Sequence, residues 1–252
     1  MNIKPFFLQK FTVTVLFTLL LGGCQKLQDY IHHHGDATYD ACSIKKITSV
    51  YSNRTITFLF AYNQFGDPVS ITNDAVGTGN PNYYFIYNNK KKLTQLLRSY
   101  TNGLYEQWFK YAYNTNGQVI SDTVYTFGQL SGTPPLPTTD NIIFNAYEYD
   151  AVGRIKFVRT SLRRNGVYSI LEEKTYTYDA NGNLDKGGAV VYDNKLNLKR
   201  TNTVWMFITK DYSLNNPFTA SQYNANNLPV KFTATDLVPF STENVTVEYL
   251  CH

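Results

Sequence analysis

Residues 147–155 read Tyr-Glu-Tyr-Asp-Ala-Val-Gly-Arg-Ile, and residues 176–184 read Tyr-Thr-Tyr-Asp-Ala-Asn-Gly-Asn-Leu. Both stretches place two aromatic residues two positions apart, followed by an acidic residue, a glycine and an apolar residue. Side chains two positions apart point to the same face of a β-strand, so the aromatic pair marks that face as buried. The pattern predicts a strand that ends in a turn.

The turn has its own chemistry. The side chain of Asp150 or Asp179 can bond to the backbone two residues further on, which opens a turn. Gly153 or Gly182 then supplies the positive φ of a type I turn closed by a bulge. Because the chain returns as a second strand, each copy predicts an antiparallel β-hairpin.

Degenerate copies of the pattern continue along the chain. Further copies begin at Phe60, Phe85, Tyr111 and Tyr223, and another variant at Tyr192. The predicted hairpin turn residues are Gly66, Gly117, Gly153, Gly182 and Asn227. Asn227 suits its position because asparagine tolerates the left-handed conformation. Six or seven hairpins predict about 12 to 14 strands, and no segment after residue 24 has the pattern of an amphipathic helix.

The composition indicates the same fold class. The chain has 21 Tyr and 16 Phe but only 2 Met, and aromatic residues suit a pleated, half-buried surface. Three prolines between Gly128 and Asp140 exclude a central strand there. We predict an all-β fold, an antiparallel meander of repeated hairpins that forms a curved sheet or incomplete barrel, as a single domain over residues 42–252.

The first 24 residues predict export. Lys4 and Lys10 form a positively charged segment ahead of an apolar run over residues 11–21. The run is shorter than the ~20 residues of a membrane span and suits a signal peptide. It ends in Leu-Gly-Gly-Cys24, which resembles the bacterial lipobox and implies lipid on Cys24.

Residues 1–23 are thus a predicted lipoprotein signal peptide, and residues 24–41 a lipidated tether. The lipid bilayer is a predicted partner through Cys24. The expected location is the outer membrane, lipid-anchored, and the sequence leaves open whether the domain faces the periplasm or the cell surface.

Charge excludes a nucleic-acid partner. The predicted signal holds Lys4 and Lys10 and no acid, so its removal lowers the formal charge from +4 to +2. The basic clusters at 90–92 and 163–164 adjoin turn residues and are predicted to be loop tips. Nucleic-acid binding favours a basic stripe interleaved with aromatic residues, and no such stripe is present.

Two cysteines remain once Cys24 carries lipid. Outside the cytoplasm such a pair is usually oxidised, so we predict a disulfide between Cys42 and Cys251. The alternative is two buried or unpaired thiols.

The hairpin copies at 147–155 and 176–184 resemble the tyrosine–aspartate (YD) repeats of rearrangement-hotspot and teneurin-type proteins, in which they build long curled β-sheets. The chain from 42 to 252 resembles a family of uncharacterised Bacteroidetes lipoproteins with a porin-like β fold, whose Cys-x-Ile-x-x-Ile opening is Cys42-Ser43-Ile44-Lys45-Lys46-Ile47 here. The resemblance implies a fold and no catalytic residue. A transmembrane form is disfavoured, because Ser161–Asn165 and Asn194–Asn202 are too polar to face lipid.

No metal or cofactor is predicted. The four histidines, His32, His33, His34 and His252, lie at the chain ends. A disulfide would bring them near one another, as a zinc or copper site requires, but a polar tether and a frayed terminus are favoured. Asp179–Asp185 alternates oxygen ligands as calcium loops do, but its glycine is misplaced and a hairpin is favoured.

The sequence offers no assembled catalytic set. It has no Gly-x-Ser-x-Gly motif, and the candidate carboxylates are Glu172 with Glu173 and Glu243 with Glu248. Adjacent strand residues point to opposite faces, so Glu172 and Glu173 cannot converge. We therefore predict that the protein is not an enzyme and has no catalytic residue.

The aromatic residues leave room for a binding face. Trp108, Trp205 and the many tyrosines either present flat apolar surfaces to a ligand or fill the inner face of the sheet. We expect a non-catalytic, membrane-anchored lipoprotein acting as a binding or scaffold module that contacts a glycan or a protein. The alternative is a glycan-directed hydrolase whose carboxylates assemble only in the fold.

Overall fold

The computed structural model describes residues 38–51, 54–131, 136–137, 140–188, 190–233, 237 and 243–252. Over these residues a single sheet of 14 strands forms, and every strand pairing in it is antiparallel. The prediction of an all-β antiparallel fold is confirmed, and so is the expected number of strands.

The strands are β1 (Cys42–Tyr51), β2 (Arg54–Tyr62), β3 (Pro68–Asn73), β4 (Asn82–Tyr87), β5 (Leu93–Ser99), β6 (Leu104–Tyr113), β7 (Val119–Gln129), β8 (Leu136–Pro137), β9 (Ile142–Tyr149), β10 (Ile155–Arg164), β11 (Val167–Thr175), β12 (Gln222–Tyr223), β13 (Pro229–Phe232) and β14 (Glu243–Cys251). A 3-10 helix spans Leu198–Thr201, and helix α1 spans Thr203–Thr209.

The sheet is a meander with an open end on each side. Its order is β11-β10-β9-β7-β6-β5-β4-β3-β2-β1-β14-β13-β12, and β8 pairs with β7. The proline-containing strand β8 is thus off the main path, as its sequence predicted. The terminal strands β11 and β12 are not paired with each other among the described residues, so the sheet stays open.

The repeat turns form as predicted. Gly153 donates its amide to the carbonyl of Asp150, and one carboxylate oxygen of Asp150 accepts the amides of Val152 and Arg154. All five predicted turn residues have positive φ, at Gly66, Gly117, Gly153, Gly182 and Asn227. The same conformation occurs at Lys91, which replaces glycine in the copy at Phe85.

In five copies of the pattern, and at Tyr249 of β14 outside them, a tyrosine makes a specific bond. Its hydroxyl donates to the carbonyl oxygen at the first residue of an earlier strand in five of the six cases. The bonds are Tyr87 to Pro68, Tyr113 to Leu93, Tyr149 to Val119, Tyr178 to Ile155 and Tyr249 to Pro229, with Tyr62 to Ile44 inside β1. We call this set the tyrosine ladder. It satisfies carbonyls where the strands begin and joins each hairpin to an earlier one.

The copies at Tyr176 and Tyr192 depart from the prediction. The first forms its turn, but only an isolated bridge between Tyr178 and Leu184 follows. The second forms no hairpin, because the Asp193 carboxylate accepts from the Asn216 amides and from the Tyr223 hydroxyl. These bonds hold a loop in place of a strand pair.

The expectation of no helix is wrong. Helix α1 begins after Asn202, whose side chain accepts the Val204 amide at 2.9 Å, and ends at Lys210 in the left-handed conformation. Two turns are too short to show a helical period in the sequence. Such a helix forms because its neighbours bury it.

Helix α1 lies on the inner face of the sheet. The ring of Trp205 is fully buried and meets Phe60 and Phe85 edge-on, with ring centroids 5.6 Å apart in each case. The first aromatic residue of these copies therefore faces the helix. Trp108 is also buried, and its indole donates to Gln95 at 2.7 Å. Neither tryptophan is exposed: Trp205 packs against the inner face, whereas Trp108 is buried on the opposite face of the sheet, in ring contact with Tyr105 and Tyr125.

A buried ion pair holds the segment around the helix. The Lys199 ammonium lies 2.8 Å from a carboxylate oxygen of Asp211, and Lys186 approaches the same oxygen at 3.0 Å. Desolvation alone would raise the pKa of Asp211, but the two ammonium groups and the hydrogen bonds from Lys199 and Ser213 outweigh it and lower the pKa.

The predicted disulfide is present. Cys42 and Cys251 stand opposite each other in β1 and β14 and are joined through their sulfur atoms, with 4.0 Å between their Cα atoms. The bridge ties the first described strand to the last. Within the described part of the chain, no helix has the length and apolar character needed to cross a membrane.

Candidate functional site

A cleft of about 290 Å³ opens where successive hairpin turns meet the start of helix α1. We call it the turn-end cleft. It is lined by Asp67, Tyr87, Lys91, Lys92, Leu93, Tyr113, Gly117, Gln118, Val119, Tyr149, Gly153, Thr203, Val204, Phe207 and Tyr212.

The repeat itself builds this cleft. In a meander, alternate turns fall at the same end of the sheet, so the turns of the copies at Phe60, Phe85, Tyr111 and Tyr147 come together there. The strands entering all four turns end in ladder tyrosines, and three of these tyrosines line the cleft. The start of α1 closes the cleft from the inner face. The same residues that form the turns therefore also form the site.

The lining combines aromatic rings with polar groups. Five rings line it, those of Tyr87, Tyr113, Tyr149, Phe207 and Tyr212. The ammonium of Lys92 lies 4.9 Å from the centroid of the Tyr113 ring, and that of Lys91 lies 3.6 Å from the Phe65 ring. Apolar walls with a few polar groups are typical of small-molecule sites, and this cleft has that character.

Three tyrosines of the cleft, Tyr87, Tyr113 and Tyr149, stay neutral. Burial raises the pKa of Tyr113 to about 12. Burial also raises the pKa of Tyr149 and of Tyr87. At Tyr87 the nearby Asp67 carboxylate adds to this rise. Their hydroxyls are already bonded in the tyrosine ladder, so they present ring surface to a ligand.

Two of the predicted turn residues belong to the cleft. Gly117 and Gly153 line it, whereas Gly66, Gly182 and Asn227 shape their turns and are not among its described lining. The three lysines at 90–92, predicted to be a loop tip, differ in their position relative to the cleft. Lys90 and Lys91 are exposed and Lys92 is half-buried, and of the three only Lys91 and Lys92 line the cleft. Only the folded turn shows which lysines reach the cleft.

A second cavity, of about 230 Å³, lies beside the end of helix α1 and holds a buried carboxylate. Asp122 accepts from the Asn145 amide at 2.8 Å and from the Tyr147 hydroxyl. Burial raises the pKa of Asp122, although these bonds and Lys210 oppose the shift. Burial lowers the pKa of Lys210.

Sequence reasoning missed this pair. Asp122 is two residues from Val124 on the buried face of β7, and a lone acid on an apolar face is a signal that strand alternation could have shown. Lys210 gave no signal, because the helix that positions it was not predicted.

Of the carboxylates considered for hydrolysis, Glu172 and Glu173 are exposed on β11 and Glu248 is exposed on β14. Glu173 forms an ion pair with Arg159 of β10, and Glu248 forms one with Lys46 of β1.

Asp179 and Asp185 line a further cavity of about 250 Å³. There, one carboxylate oxygen of Asp179 accepts the amides of Asn181 and Asn183, and Asp185 accepts that of Gly187. These bonds fit the hairpin interpretation of Asp179–Asp185.

Several residues of the predicted sites are not among the residues that the structure describes. Cys24 and the histidines at 32–34 lie outside the described residues, and so does the side chain of Glu243. His252 donates its backbone amide to the carbonyl of Ala41. Within the described ranges, no group of three or more His, Cys, Asp or Glu residues could hold a metal ion.

A scan against protein-family models finds no match for this chain, and neither does a search of the curated proteins. Among the solved structures, the chain is distantly similar to the crystal structure of a porin-like protein from Bacteroides vulgatus. The two are 14% identical, and the match covers 82% of this chain and 98% of that one with a TM-score of 0.40.

Proposed function

We propose that the protein is a non-catalytic binding module, held at the outer membrane by lipid on Cys24, and that its turn-end cleft binds a glycan. The observation that carries the proposal is the lining of that cleft, in which five aromatic rings stand beside Lys91, Lys92 and Gln118. The face that the domain presents, to the periplasm or to the surface, is left open.

A glycan suits this lining on two counts. Sugar rings have apolar C–H faces that pack on aromatic rings, and tyrosine in particular offers ring surface with a polar tip. Sugar hydroxyls can accept from lysine and both donate to and accept from an amide such as Gln118. Asp67 adds an acceptor at the rim. The cleft therefore offers partners to both parts of a sugar.

The size of the cleft favours a glycan over a folded protein. A stable protein interface buries roughly 800 Å² on each partner, whereas a concave site of a few hundred Å³ encloses a small ligand. A volume of about 290 Å³ falls at the lower end of that range. One or two sugar units of a longer glycan would occupy such a site.

The test is a glycan array followed by calorimetry with the full chain. We expect Lys92→Ala to weaken binding of the best glycan by about tenfold or more, since a hydrogen bond from a charged group contributes ~1.5–3 kcal/mol. Lys90→Ala is the matched control, because Lys90 belongs to the same turn but does not line the cleft. Equal loss in both variants, or no glycan bound by the array, would contradict the proposal.

A glycan-directed hydrolase is the second candidate, and Asp122 is the observation that favours it. A buried carboxyl group with a raised pKa in a cavity is typical of a general acid. Glycosidases of the usual kind use two carboxylates, and Asp122 is the one carboxylate among the described residues that line its cavity. Glycan turnover that Asp122→Asn abolishes would establish the hydrolase and overturn the non-catalytic proposal.

A further inference from the structure

Strand β11 is an edge of the sheet in the described part of the chain. There it pairs with β10 alone, all nine of its residues are exposed, and a β-bulge at Leu171 is its one irregular position. The exposed fractions of Val167, Tyr168, Ile170 and Leu171 are 70, 63, 61 and 54%. An edge that is long and apolar is a template for pairing with another strand.

The other edge of the sheet is different. Strand β12 has two residues, Gln222 and Tyr223, and its side chains are exposed or half-buried. Short edge strands are one way in which proteins prevent pairing. Residues 167–171, by contrast, contain neither proline nor charge, and the charged residues of β11 begin at Glu172. The two edges are therefore not equivalent.

Residues 167–171 read Val-Tyr-Ser-Ile-Leu, with two apolar or aromatic side chains on each side of Ser169. We propose that two copies of this chain pair edge to edge through β11, antiparallel, around a two-fold axis at Ser169. Tyr168 then stands opposite Ile170 of the second copy, and Val167 lies beside Leu171, the residue that the β-bulge leaves without a partner on β10. Aromatic and β-branched residues are favourable cross-strand neighbours, and each of these pairs occurs twice.

The outer face of the sheet extends this contact. The ring of Tyr168 lies 5.8 Å from that of Phe144 on β9. Ile170 stands opposite Ser161, which in turn stands opposite Phe144, so these side chains share one face of the sheet. In the proposed pair, the apolar row of one copy continues into that of the other.

Charge also favours this register. It places Glu172 and Glu173 alongside the hairpin tip of the second copy, where Arg163 and Arg164 end strand β10. A register centred between Glu172 and Glu173 would instead oppose acid to acid, which is unfavourable. Pairing β11 with itself also forms a closed dimer, whereas pairing β11 with β12 would form an open chain of molecules.

Five residues on each side make a small contact, so the dimer should be weak in solution. Interfaces below the standard size are characteristic of transient complexes. A membrane tether would raise the effective concentration of the two copies without a new contact. The proposal does not depend on the ligand of the turn-end cleft.

Cysteine cross-linking tests the register. The full chain carries Cys24→Ser, so that an introduced cysteine is the unpaired thiol beside the Cys42–Cys251 disulfide. In the proposed pair, Ser169→Cys faces its own copy as a non-hydrogen-bonded pair, with a Cβ separation of about 4.5 Å, which permits a disulfide. We expect rapid oxidation to a dimer on a non-reducing gel. Thr175→Cys, equally exposed on β11, should cross-link at least tenfold more slowly.

Sedimentation at increasing concentration tests the association itself. Ile170→Lys should abolish the monomer–dimer equilibrium, and Leu250→Lys, an exposed leucine on β14, should leave it unchanged. Circular dichroism of each variant establishes that it is folded. A monomer at every concentration, equal cross-linking of the two cysteine variants, or growth into open-ended polymers would overturn the proposal.

Discussion

The hydroxyl of Tyr149 donates a hydrogen bond of 2.8 Å to the carbonyl oxygen of Val119, at the first residue of β7. Tyr149 ends β9, so the bond joins the last residue of one strand to the first residue of its neighbour in the sheet. The bond from Tyr113 to Leu93, of 2.6 Å, also runs from the end of a strand to the first residue of an earlier one. The repeated tyrosine thus has a structural reason besides burial of its ring.

We expect Tyr149→Phe to destabilise the fold by about 1–2 kcal/mol, since it leaves the Val119 carbonyl without its partner while keeping the ring. Urea unfolding of the full chain measures the change. Tyr84→Phe is the matched control, because Tyr84 is exposed and its hydroxyl has no hydrogen-bond partner among the described residues. A loss of similar size in both variants would show that the ladder bond contributes nothing specific.

Reduction of the Cys42–Cys251 disulfide should lower stability by about 2–5 kcal/mol, toward the upper end because the bridge closes a long loop. The separation of 209 residues makes it a long loop by any standard. Thermal unfolding with and without reductant gives the size of the effect. Mass spectrometry of a non-reduced digest should find the two peptides cross-linked, and two free thiols in freshly folded protein would refute the pairing.

Asp211→Asn should cost about 3–5 kcal/mol at pH 7, because Lys199 stays buried without its counter-charge. The lowered pKa of Asp211 in the folded state also sets the direction of the pH effect. Its contribution is complete above the unfolded pKa of about 3.9 and is lost as the pH falls below it.

The difference in unfolding free energy between wild type and Asp211→Asn should therefore be constant from pH 7 to 5 and shrink toward pH 2. Urea titrations at pH 7, 5 and 3 measure it. Asp140→Asn, at an exposed position, should change stability by less than ~0.5 kcal/mol. A difference that grows as the pH falls would contradict a lowered pKa of Asp211 in the folded state.

Cys24→Ser should release the protein from the membrane fraction, since it removes the predicted site of lipid attachment. A single acyl chain gives only marginal membrane binding, so stable anchorage requires the full lipid modification. Fractionation of cells expressing each form, with immunoblotting, measures the distribution. Cys42→Ser serves as a control, because Cys42 lies in the disulfide and not in the lipobox-like segment. Unchanged fractionation of the Cys24 variant would count against the anchor.

The hairpins could be predicted because their information is local. The turn at Asp150 and Gly153 uses one side chain and one backbone conformation within four residues, and the aromatic pair before it marks the buried face. The pairing of Cys42 with Cys251 followed from counting cysteines in a chain that was predicted to be exported. Even the failed hairpin at Tyr192 kept its local feature, since Asp193 still accepts a nearby amide, that of Lys195.

The cleft and the interior could not be predicted, because they depend on residues far apart in the chain. Helix α1 is too short to show a helical pattern in the sequence. Its residue Trp205 contacts Phe60 and Phe85, which lie more than one hundred residues earlier in the chain. Lys210 approaches Asp122 only once that helix is in place.

The sequence by itself determined most of the hairpins, their turns and their antiparallel order, because period-two burial and turn chemistry act between near neighbours. Tertiary structure alone decided which aromatic residues are buried, which lysines enter the turn-end cleft, and that β11 is left as a free edge. Those outcomes depend on how the whole sheet packs against the segment between β11 and β12. Such packing joins residues that are far apart in the sequence, so no local pattern encodes it.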